Sequence, residues 1–173
     1  ITRKALYKSD FDVQTKLHNP FSFKLSDGWN HIQQITNPDK HNSAYFGGSV
    51  GISGDTAVIG AFNGNQTIGR TKKHQSGVVY VYKYTNRWDL FQTLVTDEVT
   101  NSANFGQNVS IDGDIIVVGA YTHTSAHTGA CWVFKRKDKD SKFEQIQRLE
   151  PTSTSKNQNY FGRSVCISGK DLV

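Results

Sequence analysis

Two histidines spaced four residues apart are the first residues that could do chemistry. His123 and His127 lie in the segment 121–127, which reads YTHTSAH. On a helix this spacing would align both imidazoles for a zinc ion, which takes a tetrahedral set of four ligands. Gly129 and the strand-like surroundings instead predict a loop, and no cysteine or acid is close enough in sequence to complete the set. We therefore expect no metal at this position.

Other catalytic arrangements find little support in the sequence. It contains no His-Glu-x-x-His pair, and no phosphate-cradling Gly-rich loop leads into a helical pattern. Aspartate and glutamate are scattered over turns rather than paired at one repeated position. We therefore expect a protein that is not an enzyme and that carries no cofactor.

The formal net charge is +5, but the basic residues do not form one stripe along the sequence. One run spans residues 70–74, and the other spans 135–142, where lysine alternates with aspartate. The second run predicts a solvated hairpin tip, since alternating charges are typical of exposed surfaces. No arrangement of aromatic residues between these charges resembles a base-stacking platform, so nucleic acid is not an expected partner.

The two cysteines cannot form a disulfide framework. Cys131 lies within an apolar run, and Cys166 occupies the position that Gly51 and Ser110 hold in the other copies of an internal repeat. Both cysteines are expected to be small core residues, while a disulfide between them stays open.

That internal repeat sets the elements that position every other residue. In each copy a Phe-Gly pair is followed at fixed spacing by a Gly-Ala pair. The motif residues are Phe46, Gly47, Gly60, Ala61, Phe105, Gly106, Gly119, Ala120, Phe161 and Gly162. The phenylalanines are expected to be core wedges, and the glycine after each phenylalanine is expected to permit close strand approach.

Each copy of the repeat predicts four short strands. The first alternates apolar and small residues, whereas the runs 57–59, 77–82 and 115–118 are almost continuously apolar, as in strands covered on both faces. The fourth strand is amphipathic and ends near Leu94 or Leu149. Such units predict an all-β fold, a β-propeller of four-stranded antiparallel blades.

The repeat also divides the chain. We expect an incomplete or degenerate blade at 1–20, strands three and four at 21–45, one blade each at 46–104 and 105–160, and the start of another at 161–173. About three blades fit this length, whereas closed propellers usually have four to eight. We therefore expect the rest of a longer chain to close the propeller.

Residues 46–61 carry a family resemblance. The Phe-Gly pair followed by Ser-Val-x-Ile-Ser-Gly-Asp and Val-Ile-Gly-Ala resembles the FG-GAP repeat, which occurs in the integrin alpha-chain propeller head and in many secreted or surface proteins. The resemblance covers about residues 21–173. It implies a scaffold for protein or ligand binding, as in cell adhesion, with an extracellular or cell-surface location.

The resemblance also raises the question of calcium. In this family calcium often sits between strands one and two, held by an Asp-x-Asp-x-Asp-Gly pattern whose oxygens suit a hard cation. Here the corresponding links are three residues long, at 53–55, 112–114 and 168–170, and Lys170 replaces an acid. We therefore expect no calcium in these blades.

Antiparallel connectivity places the links between strands two and three, and between consecutive units, on one face. We call it the long-loop face, because its links are 62–76, 95–104, 121–128 and 150–159. Loops on a rigid scaffold commonly carry function, so we expect a protein partner or surface ligand to bind here. The candidate residues are Asn63, Asn65, Lys72, Lys73, His74, Tyr121, His123 and His127.

Two sites fit the N-glycosylation pattern Asn-x-Ser/Thr. Asn65 lies in a long loop and is the glycosylation candidate of a secreted protein. Asn108 begins a core strand and is expected to be unmodified.

Three functions remain open. The leading hypothesis is a non-catalytic propeller scaffold that binds a partner through the long-loop face of an extracellular or surface protein. The second is a structural assembly module of a filament or multi-protein complex, and the third is an accessory propeller domain of a larger secreted hydrolase. No apolar run reaches the roughly 20 residues of a membrane helix, so no membrane span is expected.

Overall fold

A computed structural model describes residues 33–39, 43–68, 70–124, 127–152, 159–169 and 171–172. These residues contain β-strands and no helix, so none of them forms a helix long and apolar enough to cross a bilayer. The predicted segment 1–20 lies outside the described residues. Of the segment 21–45, only 33–39 and 43–45 are described, and they contain no strand.

The first blade is a four-stranded antiparallel sheet. Its part of the chain contains β1 (Phe46–Ser53), β2 (Thr56–Ala61), β3 (Gln66–Ile68), β4 (Thr71–Lys73), β5 (Val78–Tyr84) and β6 (Trp88–Leu94). The blade has the order β1-β2-β5-β6, whereas β3 and β4 pair only with each other. The link 62–76, predicted as a plain loop, therefore contains a β-hairpin.

The second blade repeats this arrangement without the extra hairpin. The strands are β7 (Asn108–Asp112), β8 (Ile115–Ala120), β9 (Ala130–Lys135), β10 (Glu144–Leu149), β11 (Ile167–Ser168) and β12 (Asp171–Leu172). The order β7-β8-β9-β10 forms the blade, and β11 pairs with β12 at the positions of strands one and two of the next copy. The prediction of all-β propeller blades is confirmed.

The main core lies between the two blades. Val58, Val79 and Val81 of the first blade share one buried cluster with Phe105 and Trp132. Phe105 is fully buried, and its ring lies edge-on to Trp132 with the centroids 5.5 Å apart. Burying a side chain of this size contributes about 1.5–3 kcal/mol. Phe105 is therefore the core wedge that the sequence predicts.

The other two motif phenylalanines are less buried than predicted. Phe46 is half-buried and packs on Tyr80, whereas Phe161 is 36% exposed. Phe161 corresponds to Phe105 in the next copy of the repeat. No described residue stands beside Phe161 where Trp132 stands beside Phe105, so its ring lacks a covering layer.

The cysteines divide in the same way. Both thiols are free, and Cys131 is buried as predicted, which raises the pKa of its thiol to about 12. Cys166 is exposed, contrary to the prediction of a core residue. Its repeat position faces the following unit, since the Ser110 hydroxyl at that position accepts a hydrogen bond from the Ile167 amide at 3.2 Å.

The repeated glycines let consecutive units approach closely. A Cβ on Gly119 would lie 1.9 Å from the carbonyl oxygen of Gly162, and one on Gly60 would lie 2.1 Å from that of Gly106. Each Gly-Ala pair thus receives the Phe-Gly pair of the next copy. A Cβ on Gly47 would meet nothing within 4 Å, so close approach does not explain this glycine, whose φ is +84°.

Side chains of the first strands bind the backbone of the next unit. The Ser53 hydroxyl accepts a hydrogen bond from the Gly113 amide at 3.0 Å. At the equivalent position one unit later, Asp112 Oδ2 accepts one from the Gly169 amide at 2.6 Å. The first strands are therefore held in register by the same contact twice.

Two glutamines at the fourth-strand position of the repeat, Gln92 and Gln33, make a second repeated contact. Gln92 Nε2 donates to the Phe143 carbonyl at 2.8 Å, while its Oε1 accepts from the Phe143 amide at 2.8 Å. Gln33 makes the same pair of bonds to Trp88, at 2.8 and 2.7 Å. We call this contact the glutamine clamp. The blades are thus fixed to one another at the first strand of each sheet, which we call the inner strand, and near the fourth, which we call the outer strand.

Candidate functional site

Hydrogen bonds join the links of the long-loop face to one another. The Ser102 amide donates to the His74 carbonyl at 3.0 Å, and the Thr122 hydroxyl donates to the Ser102 carbonyl at 2.7 Å. The Tyr160 amide donates to the His127 carbonyl at 3.2 Å. Links from both blades therefore lie on one face, as antiparallel connectivity predicts.

A buried glutamine supports the base of the β3–β4 hairpin. Gln66 is 1% exposed, and its Nε2 donates to the Gly77 carbonyl at 2.6 Å. Its Oε1 accepts from the Thr96 amide at 3.1 Å, which ties the hairpin to the link between the blades. Sequence reasoning did not identify this residue, because a single glutamine in a polar loop carries no pattern.

Two of the predicted residues support the same loop. Asn63 Nδ2 donates to the Ser43 carbonyl at 2.6 Å, and Asn65 Oδ1 accepts from the Gln75 amide at 3.0 Å. Both asparagines are half-buried. Their side chains therefore fix loop conformation in addition to lining the surface.

The three basic candidates are placed differently. Lys72 and His74 are exposed. Lys73 is half-buried, and its ammonium group donates to the carbonyls of Asp97 and Val99, the latter at 2.7 Å. Lys73 thus connects the hairpin to the adjoining link, whereas the side chains of Lys72 and His74 face solvent.

His123 is buried rather than exposed on the loop surface. His123 is only 3% exposed. Its ring lies edge-on to that of Trp132, with the two ring centroids 5.2 Å apart. Its buried Nδ1 has no hydrogen-bond partner among the described residues. Burial, and then the charge of Arg148, lower the pKa of His123 despite Glu150 and Glu98, so the neutral ring is favoured.

Tyr121 and His127 gather with Tyr160 into an aromatic cluster. The centroids of Tyr121 and Tyr160 are 5.8 Å apart, and those of His127 and Tyr160 are 6.4 Å apart. Tyr121 and His127 are half-buried. His123 and His127 thus contact different aromatic rings, and no group of three or more potential metal ligands occurs in the described part of the chain.

A charged network beside His123 was not predicted. Glu98 Oε2 accepts from the Trp132 indole at 3.0 Å, and Glu98 Oε1 accepts from Gln145 at 2.9 Å. Arg148 lies between Glu98, at 3.4 Å, and Glu150. Burial raises the pKa of Glu98, but the hydrogen bonds from Trp132, Gln145 and Arg148 outweigh it and lower the pKa overall. Glu98 comes from the link between the blades and its partners come from strands β9 and β10, so sequence spacing gives no signal.

On the opposite face, one residue of the charged run 135–142 is buried, contrary to the prediction of a solvated hairpin tip. Arg136, within the run 135–142, is only 6% exposed. Its Nε pairs with Asp114 at 2.7 Å, and its NH1 donates to the Thr56 hydroxyl of the first blade at 3.0 Å. The rest of the run is exposed or half-exposed. Arg136 takes the repeat position of Tyr84, an amphipathic residue, and this equivalence could have revealed its burial.

One serine has the spacing of a nucleophile motif that the sequence reasoning overlooked. Residues 47–51 read GGSVG, which matches Gly-x-Ser-x-Gly. Nucleophilic serines of this motif sit on a sharp turn between a strand and a helix. Ser49 instead lies within β1, and its hydroxyl donates to the Gly106 carbonyl at 2.8 Å. The residue serves contact between units.

Comparison with known protein families finds the FG-GAP repeat. The FG-GAP repeat pattern matches residues 29–82 and 88–134, which together make up more than half of the chain. No curated protein matches the chain.

Proposed function

The chain belongs to the FG-GAP repeat family, and from this premise we propose that it is a non-catalytic propeller scaffold that binds a protein partner or surface ligand. Binding takes place on the long-loop face, and the protein works outside the cell or at its surface. The observation that carries the proposal is the set of hydrogen bonds that join the links of this face. Loops fixed in this way present Lys72, His74 and the aromatic cluster without first having to be ordered, which lowers the cost of binding.

The location is supported by the glycosylation candidate. Asn65 forms its loop contact through Oδ1, so this contact does not use the amide nitrogen that would carry a glycan. We expect a glycan mass on the peptide containing Asn65 when the protein is isolated from its own source. A bare Asn65 in that material would remove this support for the proposed extracellular location.

Two single substitutions test the binding face by adding a glycan to either face. His74→Asn creates Asn-Gln-Ser on the long-loop face, and Lys139→Asn creates Asn-Asp-Ser on the opposite hairpin. Both side chains are exposed. The full chain is secreted from a eukaryotic host, glycan occupancy is confirmed by mass, and fluorescent protein is applied to cells of the source organism.

We expect the His74→Asn glycoform to lose cell binding and the Lys139→Asn glycoform to keep it. Equal binding by both glycoforms would overturn the long-loop face as the binding site and favour a structural assembly module. If the unsubstituted protein did not bind these cells, the proposal that it binds a surface ligand would be overturned.

A further inference from the structure

The tip of the β3–β4 hairpin carries a concentration of positive charge. Arg70, in the hairpin turn, and Lys72, on β4, carry exposed cationic side chains two residues apart, next to the exposed His74. Because side chains of a strand alternate between its faces, Lys72 lies on the face opposite to Lys73. Lys73 is the residue whose ammonium group is bound to the Asp97 and Val99 carbonyls. The hairpin therefore has one side attached to the protein and one basic side turned away from it.

Nothing in this part of the sequence neutralises the basic side. Residues 56–88 contain no aspartate or glutamate. Among the described residues, neither Arg70 nor Lys72 forms a salt bridge, whereas other surface cations such as Arg87 do. Of the two acids in the adjoining link, Glu98 is already bonded to Trp132, Gln145 and Arg148, and Asp97 lies where Lys73 attaches the hairpin to that link. The positive field of the hairpin thus remains available to a partner.

We propose that this basic side binds an extended acidic protein segment with carboxylates at alternate residues, a partner class that rests on the proposed function of the long-loop face. Residues of a strand rise about 3.3 Å each, and Arg70 stands two residues before Lys72, so the backbone positions of these two cations are separated by at most roughly 6.7 Å. An extended acidic segment places alternate carboxylates at a similar separation. No Phe, Tyr or Trp occurs in 63–79, so the hairpin lacks the platform of large aromatic rings that single-stranded nucleic acid uses.

The test measures binding of labelled peptides to the full chain by fluorescence anisotropy at low and at physiological salt. The probes are a blocked (Glu-Ser)6 peptide, an isomer of the same composition with its glutamates grouped together, and (Gln-Ser)6. Competitors of matched charge are a sulfated oligosaccharide, oligothymidine and anionic phospholipid vesicles. The variants are Lys72→Glu and the matched control Lys137→Glu, which makes the same charge change on an exposed lysine of the opposite face.

We expect (Glu-Ser)6 to bind several-fold more tightly than its grouped isomer, and (Gln-Ser)6 not to bind. Lys72→Glu should weaken binding about tenfold. The charge reversal turns an attraction into a repulsion, but the effect stays moderate because an exposed ion pair contributes little free energy. Lys137→Glu should leave binding within about twofold, and added salt should weaken the interaction. Thermal unfolding of both variants checks that they fold.

Three results would overturn the acidic-segment proposal. They are equal binding of the two isomers, equal effects of the two lysine variants, and tighter binding of any competitor. If the His74→Asn glycoform loses cell binding while no peptide binds, the proposed function stands and the acidic partner falls. If (Glu-Ser)6 binds as expected while that glycoform still binds cells, the basic side stands and the proposed function falls.

Discussion

Truncating the glutamine clamp between the blades should destabilise the protein measurably. In Gln92→Ala the side chain that binds both the amide and the carbonyl of Phe143 is removed. Phe143 is 3% exposed, so water has little access to the two backbone groups left behind. The loss therefore combines two hydrogen bonds with the exposure of their partners to an environment that cannot solvate them.

The magnitude follows from these two bonds. A hydrogen bond contributes about 0.5–1.5 kcal/mol net, and a buried group left without a partner costs about 1–3 kcal/mol. Because the bonds are partly buried, we place the expected loss near 2–3 kcal/mol. In a protein of this size that corresponds to a fall of roughly 4–12 °C in the thermal midpoint.

The repeat supplies a matched control. Gln147 occupies the position of Gln92 one unit later, but it is exposed, and its side chain makes no hydrogen bond with any described residue. Gln147→Ala should change the free energy of unfolding by less than about 0.5 kcal/mol, as is usual for surface substitutions. Urea unfolding with an unchanged m-value measures both variants. If the two variants lost equal stability, the clamp would not be what holds the outer strands together.

Three further outcomes are expected. Gly119→Ala should cost about 3 kcal/mol or more, because its Cβ would collide with the Gly162 carbonyl, whereas Gly54→Ala, with open space around it, should cost only about 1 kcal/mol in denaturant unfolding. The lowered pKa of His123 means that the unfolded chain takes up its proton first as pH falls below about 6.5, so stability is full above that pH and declines below it. His123→Gln should flatten the pH dependence of unfolding between pH 5 and 7, and an unchanged slope would contradict this. Micromolar calcium should leave the thermal midpoint unchanged, and a large upward shift would refute the expected lack of calcium.

The repeat made the blades predictable from sequence, because apolar runs, turn glycines and the Phe-Gly pair recur together. The same alignment shows Gln33, Gln92 and Gln147 at one position, although only the structure reveals that two of them grip a neighbouring backbone. Periodicity identifies which residues are equivalent. It does not say what lies opposite each of them across a gap of more than 50 residues.

The burial of individual loop residues could not be predicted from sequence, for a different reason. Their residues have no periodicity, so exposure was inferred from polarity, and this inference was wrong for His123. The loop folds back onto Trp132, which is itself held by Glu98 from another link. Such contacts depend on the path of each loop and not on local sequence. Arg136 on the opposite face was misjudged in the same way, since its partners Asp114 and Thr56 are remote in sequence.

The contacts between blades also explain how the loops can differ while the blades stay docked. At both the inner and the outer strands, a side chain of one blade binds a backbone amide or carbonyl of the next. Every non-proline residue supplies those backbone groups, so the receiving residue can vary, as Trp88 and Phe143 do at the glutamine clamp. Docking of one blade on the next therefore requires few particular side chains on the long-loop face. One link could acquire the basic β3–β4 hairpin, and its counterpart the aromatic cluster, without loss of the contacts that hold the blades together.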